Sequence, residues 1–544
     1  MEARHRRAVF FGGVLALLAV LSLPGIPGHG NDVDVLLYSA AAVRANAEGT
    51  LPYVAAWIEK GPVAMGSFQV LFAIFGDYNL FAIAACWFVL ATLGAALSWA
   101  LAREMGFDAG APWAAVLFAV GIGPLGGTLN TEVPAMVAAA AAVLVWCRAS
   151  HLTAMPVGIG VLMGALAGIA FMCRQNAGAV WPVLVAAELA LAWFGRRTAR
   201  QAAVGVVAIT GGFLVVVGVV VIPYWATGAL GEFWFCFYAY NTDVYVAATR
   251  VTVARLLASP WTAARNFLLP SWTVGTLGLV GVLLTLSRRL RSREERGDRL
   301  PARLVITAAA VVLAASLFLG LRLFSHYFAL VLPLWAALGG AAVEFVGRGS
   351  RKLLGKHAVL AVGVVVAVSL GAEIHRDPWK ATARRLVAWA RDGGVAEISD
   401  PIRWPGRDAL SAVTARYIRE RSSADDRIFV WGMRPHVYAY SRRIPATRFV
   451  TCTFLSGLVP WERSAPEDDT TPWIVEGAWD LLMEDLEGEP PLFIVDASED
   501  HLFGMGAYSP SHFPRLDSFL RERYERVHET GSGDRMIVWR RRES

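Results

Sequence analysis

The sequence predicts a polytopic α-helical membrane protein of about eleven transmembrane helices with a C-terminal α/β extracytoplasmic domain. Three observations predict it. Hydrophobic residues make up 56% of the chain and charged residues only 17%, where soluble domains carry about a quarter charged residues. The apolar residues gather in blocks of about 17–25, the length that crosses roughly 30 Å of hydrocarbon. After position 375 charge returns, and helix-like and strand-like patterns alternate.

The spans read, in order, as 8–24, 79–102, 111–127, 131–147, 155–173, 177–194, 201–223, 270–287, 303–321, 325–346 and 357–374. Arg4-His5-Arg6-Arg7 precedes the first apolar run, and no small-residue cleavage site follows it. The run therefore reads as an uncleaved first span with a cytoplasmic N-terminus. The apolar stretch 61–76 is short and bounded by Gly61-Pro62 and Gly76-Asp77. Counting it as a span would switch the side of every later loop. With 61–76 left out, nineteen basic residues lie in loops on the cytoplasmic side and seven on the outer side, the bias of the positive-inside rule. The segment then reads as a helix in or near the outer interface. The same clustering accounts for the net charge of +6, so no nucleic-acid partner is expected.

Two outer loops are long, 25–78 and 224–269. The second is rich in aromatic residues, including Trp225, Phe233, Trp234, Tyr238, Tyr240 and Tyr245, and reads as an interfacial belt. In the tail, helices are expected near 408–421, 473–486 and 513–523, and strands at 427–431, 492–495 and 535–539. Phe429-Val430-Trp431-Gly432 with Pro435 reads as a strand entering a turn and helix. The expected division is a membrane domain over 1–374, with an outer catalytic loop at 25–78, and a soluble extracytoplasmic domain over 375–544. An odd number of spans from a cytoplasmic start puts that domain outside. The five cysteines form no CxxC pair, so neither a zinc site nor a disulfide framework is indicated.

The first outer loop is the most informative stretch, although charged groups near a membrane surface are unremarkable where they face water. It reads Asn31-Asp32-Val33-Asp34, then Tyr38, Glu48, Pro52-Tyr53, Trp57 and Glu59-Lys60-Gly61-Pro62. Asp34 and Tyr38 share a face if this stretch is helical. Asp32 stands where the helix would start, as an N-cap or as a second acid. Arg174 and Arg322 stand at outer ends of spans, where a cation either snorkels to the interface or marks a functional site. His326-Tyr327 follows Arg322 closely. Glu132 opens a span, a position the helix dipole favours for a carboxylate.

Taken together, these residues resemble a GT-C type membrane glycosyltransferase, in the pattern of the protein O-mannosyltransferases and the lipid A aminoarabinose transferase. Four features carry the resemblance over roughly residues 1–375. They are Asp34 and Tyr38 ahead of Ala40–Ala42; Gly49-x-x-Pro52-Tyr53 running into Glu59-Lys60-Gly61-Pro62; the turn Asn130-Thr131-Glu132; and the pair Arg174-Gln175-Asn176 and His326-Tyr327. The aromatic loop ending Tyr240-Asn241-Thr242-Asp243-Val244-Tyr245 is also similar to bacterial members. The sequence departs from the pattern in having Glu132 where members often have Asp, and Gly61-Pro62 where Pro-Pro often follows the lysine.

The resemblance implies transfer of a sugar from a polyprenyl-phosphate donor to a hydroxyl acceptor at the outer face, with inversion. It implies Asp34 as general base, with Asp32 as rival, and Lys60, Arg174, Arg322, His326 and Tyr327 as contacts of the donor phosphate. Tyr38, Tyr53, Glu59, Glu132, Asn241 and Tyr245 are the acceptor-binding or supporting residues. Glu59 is a candidate ligand for a divalent metal, and no cofactor is otherwise expected. The acceptor is a lipid, a glycan or a protein, and the location is the plasma (inner) membrane. Two other classes compete. A transporter or lipid flippase would place ionisable groups at mid-membrane in broken helices. A non-catalytic envelope-assembly protein would tolerate loss of Asp34.

Overall fold

The computed structural model describes residues 32–249, 252–268, 271–286, 299–354, 408–460, 469–499, 502–531 and 534–543, with a few isolated positions besides. Asn31 and nearly all of the expected spans 8–24 and 357–374 lie outside the described residues. The chain divides into two compact units. One comprises Met1–Gly25, Ala85–Ile222 and Val251–Ala388; the other comprises Ile26–Ala84, Pro223–Arg250 and Trp389–Ser544.

The first unit is helical. Among the described residues of the whole chain, six helices are long and apolar enough to cross a membrane: Leu80–Glu104, Glu132–Ala149, Gln175–Trp193, Ala199–Ala226, Leu300–Gly320 and Ser325–Gly349. Val253–Phe267 and Trp272–Leu286 form a further pair bent by 119°. The shorter apolar helices Ala111–Gly126 and Val157–Cys173 coincide with the expected stretches 111–127 and 155–173. The protein is an integral membrane protein.

Close helix approach rests on glycine. Val157–Cys173 carries Gly160, Gly164 and Gly168 at four-residue spacing, the small-xxx-small pattern that lets helix backbones meet in lipid. A Cβ at Gly164 would collide with the carbonyl oxygen of Ile209, and one at Gly212 with that of Val161. Both obstacles are backbone, so no rotamer change relieves them. Gly164→Val is therefore expected to remove the folded, monodisperse species, read by size-exclusion chromatography in detergent. The exposed Gly158→Ala, whose Cβ would meet open space, should elute as wild type.

Charges inside this unit are neutralised locally. Arg197 pairs with Glu188, both almost fully buried, and its guanidinium also donates to the Ala149 carbonyl at 2.9 Å. Glu344 accepts from the Gly110 N–H at 2.7 Å, which puts a carboxylate at the start of Ala111–Gly126, where the dipole favours it.

In the second unit, Val33–Glu48 begins at Asp32, whose carboxylate accepts from the Asp34 and Val35 N–H groups at 3.0 and 3.2 Å. It ends at Gly49, with φ +63°, the left-handed stop that glycine supplies without strain. Pro62 opens the helix Pro62–Phe75, a first-turn position that does not use the missing N–H. The stretch 61–76 is thus helical, as expected.

The C-terminal residues build a five-stranded sheet of order β2-β1-β3-β5-β4. Its strands are β1 (Arg427–Trp431), β2 (Ile444–Pro445), β3 (Phe493–Asp496), β4 (Tyr524–Thr530) and β5 (Met536–Arg541). The pairs β1–β2 and β1–β3 are parallel, whereas β5 runs antiparallel to β3 and β4. β1 and β3 are apolar and buried along nearly their full length, as central parallel strands are. The helices Ala409–Arg419 and Pro514–Arg523 fall where expected. The one expected at 473–486 instead starts at Ala478, because Thr471–Trp473 is a 3₁₀ turn and Gly477 takes φ +75°. The helix His436–Ser441 follows Pro435, as the strand–turn reading anticipated.

Candidate functional site: an acid–lysine cluster and a membrane ion-pair cluster

The acid–lysine cluster lies in the second unit. Asp32 is engaged as the helix N-cap. Asp34 stands in the first turn, half-buried, and Tyr38 one turn later is buried edge-on against Phe68 at 5.6 Å. Between Pro52–Ala55 and Pro62–Phe75 the chain runs without helix through Glu59 and Lys60. Their side chains pair at 3.2 Å.

Two residues hold this segment by its backbone. The Tyr53 hydroxyl donates to the Lys60 carbonyl, and the Asn241 amide donates to the Glu59 carbonyl at 3.0 Å. The Tyr245 ring lies 6.0 Å from the Lys60 ammonium, within reach of a cation–π contact. Asn241 and Tyr245 belong to a twelve-residue π-helix, Phe235–Val246, a geometry frequent at functional sites.

Burial alone would lower the Lys60 pKa. Glu59 first, then Asp34, Tyr38 and Tyr245, outweigh it and hold the ammonium well above the ordinary lysine value. Lys60 is therefore a permanent cation at neutral pH, facing two carboxylates. The loop residues Asp34, Tyr38, Tyr53, Glu59, Lys60, Asn241 and Tyr245 all meet in this cluster. Among the described residues, no three His, Cys, Asp or Glu side chains gather as a metal-holding group. The Glu59 carboxylate is engaged by Lys60.

The aromatic loop is divided. Trp225, Trp234 and Tyr238 are exposed, while Phe233, Phe237 and Tyr240 are buried. Tyr240 meets Phe454 at 4.4 Å, and Trp57 meets Phe235 at 4.7 Å and Phe449 at 5.3 Å. The buried set forms part of this unit's core, so the belt reading can apply to the exposed set only.

The ion-pair cluster lies in the first unit. Val157–Cys173 stops at Arg174, whose backbone is extended. A 3₁₀ turn, Gln175–Ala179, restarts the chain toward Val180, and Asn176 donates to the Ser316 carbonyl at 3.0 Å. That break turns Arg174 toward Glu132, the first residue of its helix, at 2.6 Å. Arg174 also reaches the Thr131 hydroxyl at 3.3 Å and lies 4.1 Å from the centre of the Tyr327 ring. His326 is 3.9 Å from Glu132 and edge-on to Tyr327 at 4.7 Å. Arg322 is buried. It follows Leu321, which takes φ +51°, a strained value for a branched residue. Glu132, Arg174, His326 and Tyr327 thus form one cluster of alternating charge and aromatic faces.

Sequence reasoning missed the supports of the Asp34 helix. Arg44 and Arg427 both pair with Glu48, at 2.6 and 2.9 Å. Asp485 receives Arg448 at 2.8 Å and Arg44 at 3.7 Å. Arg427, Arg448 and Asp485 lie too far along the chain from this helix to leave a local signal, whereas Arg44 and Glu48 are an i,i+4 pair that spacing could have shown.

The fold is similar to that of ArnT, the lipid A aminoarabinose transferase, from Cupriavidus metallidurans in the apo state: 15% identity, TM-score 0.54, covering 99% of this chain and 98% of that one. The same ArnT bound to undecaprenyl phosphate aligns at 15% identity and TM-score 0.51, over 98% and 97% of the two chains. The Archaeoglobus fulgidus oligosaccharyltransferase in complex with Zn and sulfate aligns at 13% and 0.51, over 96% of this chain and 73% of that one. No family model and no curated protein sequence matches the chain.

Proposed function

We propose that this protein transfers a sugar from a polyprenyl-phosphate donor to a hydroxyl acceptor at the extracytoplasmic face of the plasma membrane. The observation that carries the reading is the Asp34–Tyr38–Glu59–Lys60 cluster, set in a chain with the GT-C fold. The likeness to an ArnT that binds undecaprenyl phosphate supports the donor class.

In this mechanism the acceptor hydroxyl attacks the anomeric carbon of the sugar. Asp34 takes the hydroxyl proton as general base. The bond from the anomeric carbon to the phosphate oxygen breaks, and the polyprenyl phosphate leaves with the electron pair. A single displacement of this kind inverts the anomeric centre. Lys60 stabilises the charge that develops on the leaving phosphate. Arg174, Arg322, His326 and Tyr327 stay candidates for phosphate contact by resemblance alone, and Arg suits that task because its planar fork matches phosphate oxygens. Tyr53 and Asn241 act as positioning residues through the carbonyls that they hold. Should a divalent metal take part, Glu59 would leave Lys60 to hold it. The N-terminus is cytoplasmic, and residues 375–544 lie outside with the acceptor.

The test is sugar transfer by the purified protein in detergent, with a panel of labelled polyprenyl-phosphate sugars and a membrane extract as acceptor. Lys60→Met is expected to cost about 10²–10³ in rate, the effect of losing one preorganised charge-stabilising group, while the protein stays folded. Transfer at the wild-type rate would remove Lys60 from the mechanism. No transfer from any donor, with an acceptor shown to be present, would favour the transporter reading.

A further inference from the structure

The first unit has a cavity of about 270 Å³ lined by Trp146, Ala187, Leu191, Phe194, Arg196 and Leu304 among other, mostly apolar, residues. It lies where Glu132–Ala149 and Val180–Trp193 end and Leu300–Ser316 begins. Trp146 is fourteen residues beyond Glu132 on one continuous helix, so the cavity is roughly 20 Å from the Glu132–Arg174 pair at 1.5 Å per residue. It is a different place from the ion-pair cluster of the same unit.

Three features define what fits it. The walls are almost wholly apolar, and an apolar cavity of about 150 Å³ already admits a benzene ring, so this one accepts a run of methylenes. Phe194 and Leu304 on its lining are exposed, and Trp193 beside them is 87% exposed. The cavity therefore opens beside an exposed Trp193-Phe194 pair, residue types that settle at a membrane–water boundary. The single charged group in the lining is the exposed Arg196; the chain beside it carries the exposed Arg200, and Arg148, two residues beyond Trp146, is already paired with Glu104 at 3.3 Å.

We propose that this cavity holds one acyl chain of an anionic phospholipid, with the lipid phosphate on Arg196. Apolar walls exclude a free phosphate as the whole ligand, and a zwitterionic lipid lacks the net charge that the arginines favour. Basic pockets between helix ends select anionic headgroups for this reason. The site asks nothing of the sugar-transfer reading and stands if that reading fails.

The experiment is native mass spectrometry of the delipidated protein with phosphatidylglycerol or phosphatidylcholine of identical chains, or inorganic phosphate. One retained phosphatidylglycerol is expected, preferred over phosphatidylcholine by about fivefold, the discrimination one basic residue gives near an anionic headgroup. Arg196→Ala should erase the preference while leaving retention. Ala187→Leu, which narrows the cavity, should reduce retention of both lipids; the smaller change Leu304→Ala keeps the test alive if that variant does not fold, and should weaken retention. Equal retention of the two lipids by wild type, a preference that survives Arg196→Ala, or retention untouched by both Ala187→Leu and Leu304→Ala overturns the proposal. So does binding of inorganic phosphate alone.

Discussion

Asp34→Asn is expected to lower sugar transfer by about 10²–10⁴-fold, the span that a positioned general base supplies. The amide keeps the size and hydrogen-bonding shape of the side chain but cannot take a proton. The helix start should survive, because Asp32 makes the cap. Loss of the first-turn negative charge should cost only about 0.3–1 kcal/mol through the helix dipole. Thermal unfolding should therefore barely move while the rate collapses, with KM for the donor little changed. Asp32→Asn is the matched control. Asn caps a helix as well as Asp, so that variant should keep both fold and rate. A rate that survives in Asp34→Asn but falls in Asp32→Asn would move the base by two residues.

The second large effect is on stability. Arg174→Met should destabilise the protein by about 3–5 kcal/mol, because it leaves a buried carboxylate without its cation. The Glu132 side chain is only 2% exposed, and besides Arg174 the imidazole of His326 approaches it, at the longer distance of 3.9 Å. Glu132→Gln combined with Arg174→Met should recover most of that loss, since neither partner then carries a buried charge. Thermal unfolding in detergent across the four proteins gives the coupling directly. A double variant as unstable as Arg174→Met alone would mean that Arg174 acts through packing on Tyr327 rather than through Glu132.

Much of this was legible because the determinants are local. Asp32 followed by an apolar, alanine-rich run marks the Val33–Glu48 helix from its cap onward. Glycine and proline bracket Pro62–Phe75 on the page as they do in space. β1 and β3 are short apolar runs, Ile428–Trp431 and Phe493–Val495, each with one charged residue at its end, which is how buried parallel strands read. β4 was missed because its burial does not alternate: Tyr524 and Thr530 are buried at its ends, and the residues between are exposed or half-buried. At β2 only two residues pair, too few for any periodicity. Within the candidate site, the residue types were readable from the sequence, but their duties were not. Tyr53 and Asn241 use their side chains on carbonyls rather than on a ligand, and spacing cannot distinguish the two. The Glu48–Arg427 pair joins positions 379 apart, where pattern along the chain carries no information.

That pair has a consequence for how this protein can be cut and recombined. The helix bearing Asp34 is pinned at its far end to β1 through Arg427 and to the Ala478–Gly488 helix through Arg44 and Asp485. The Trp57 N–H donates to the Arg448 carbonyl, and the Tyr78 hydroxyl to that of Arg443. The C-terminal sheet is thus part of the foundation of the acid–lysine cluster rather than an interchangeable module. Grafting another C-terminal domain onto this chain would exchange not only what that domain binds but also the rigidity with which Asp34 and Lys60 are held.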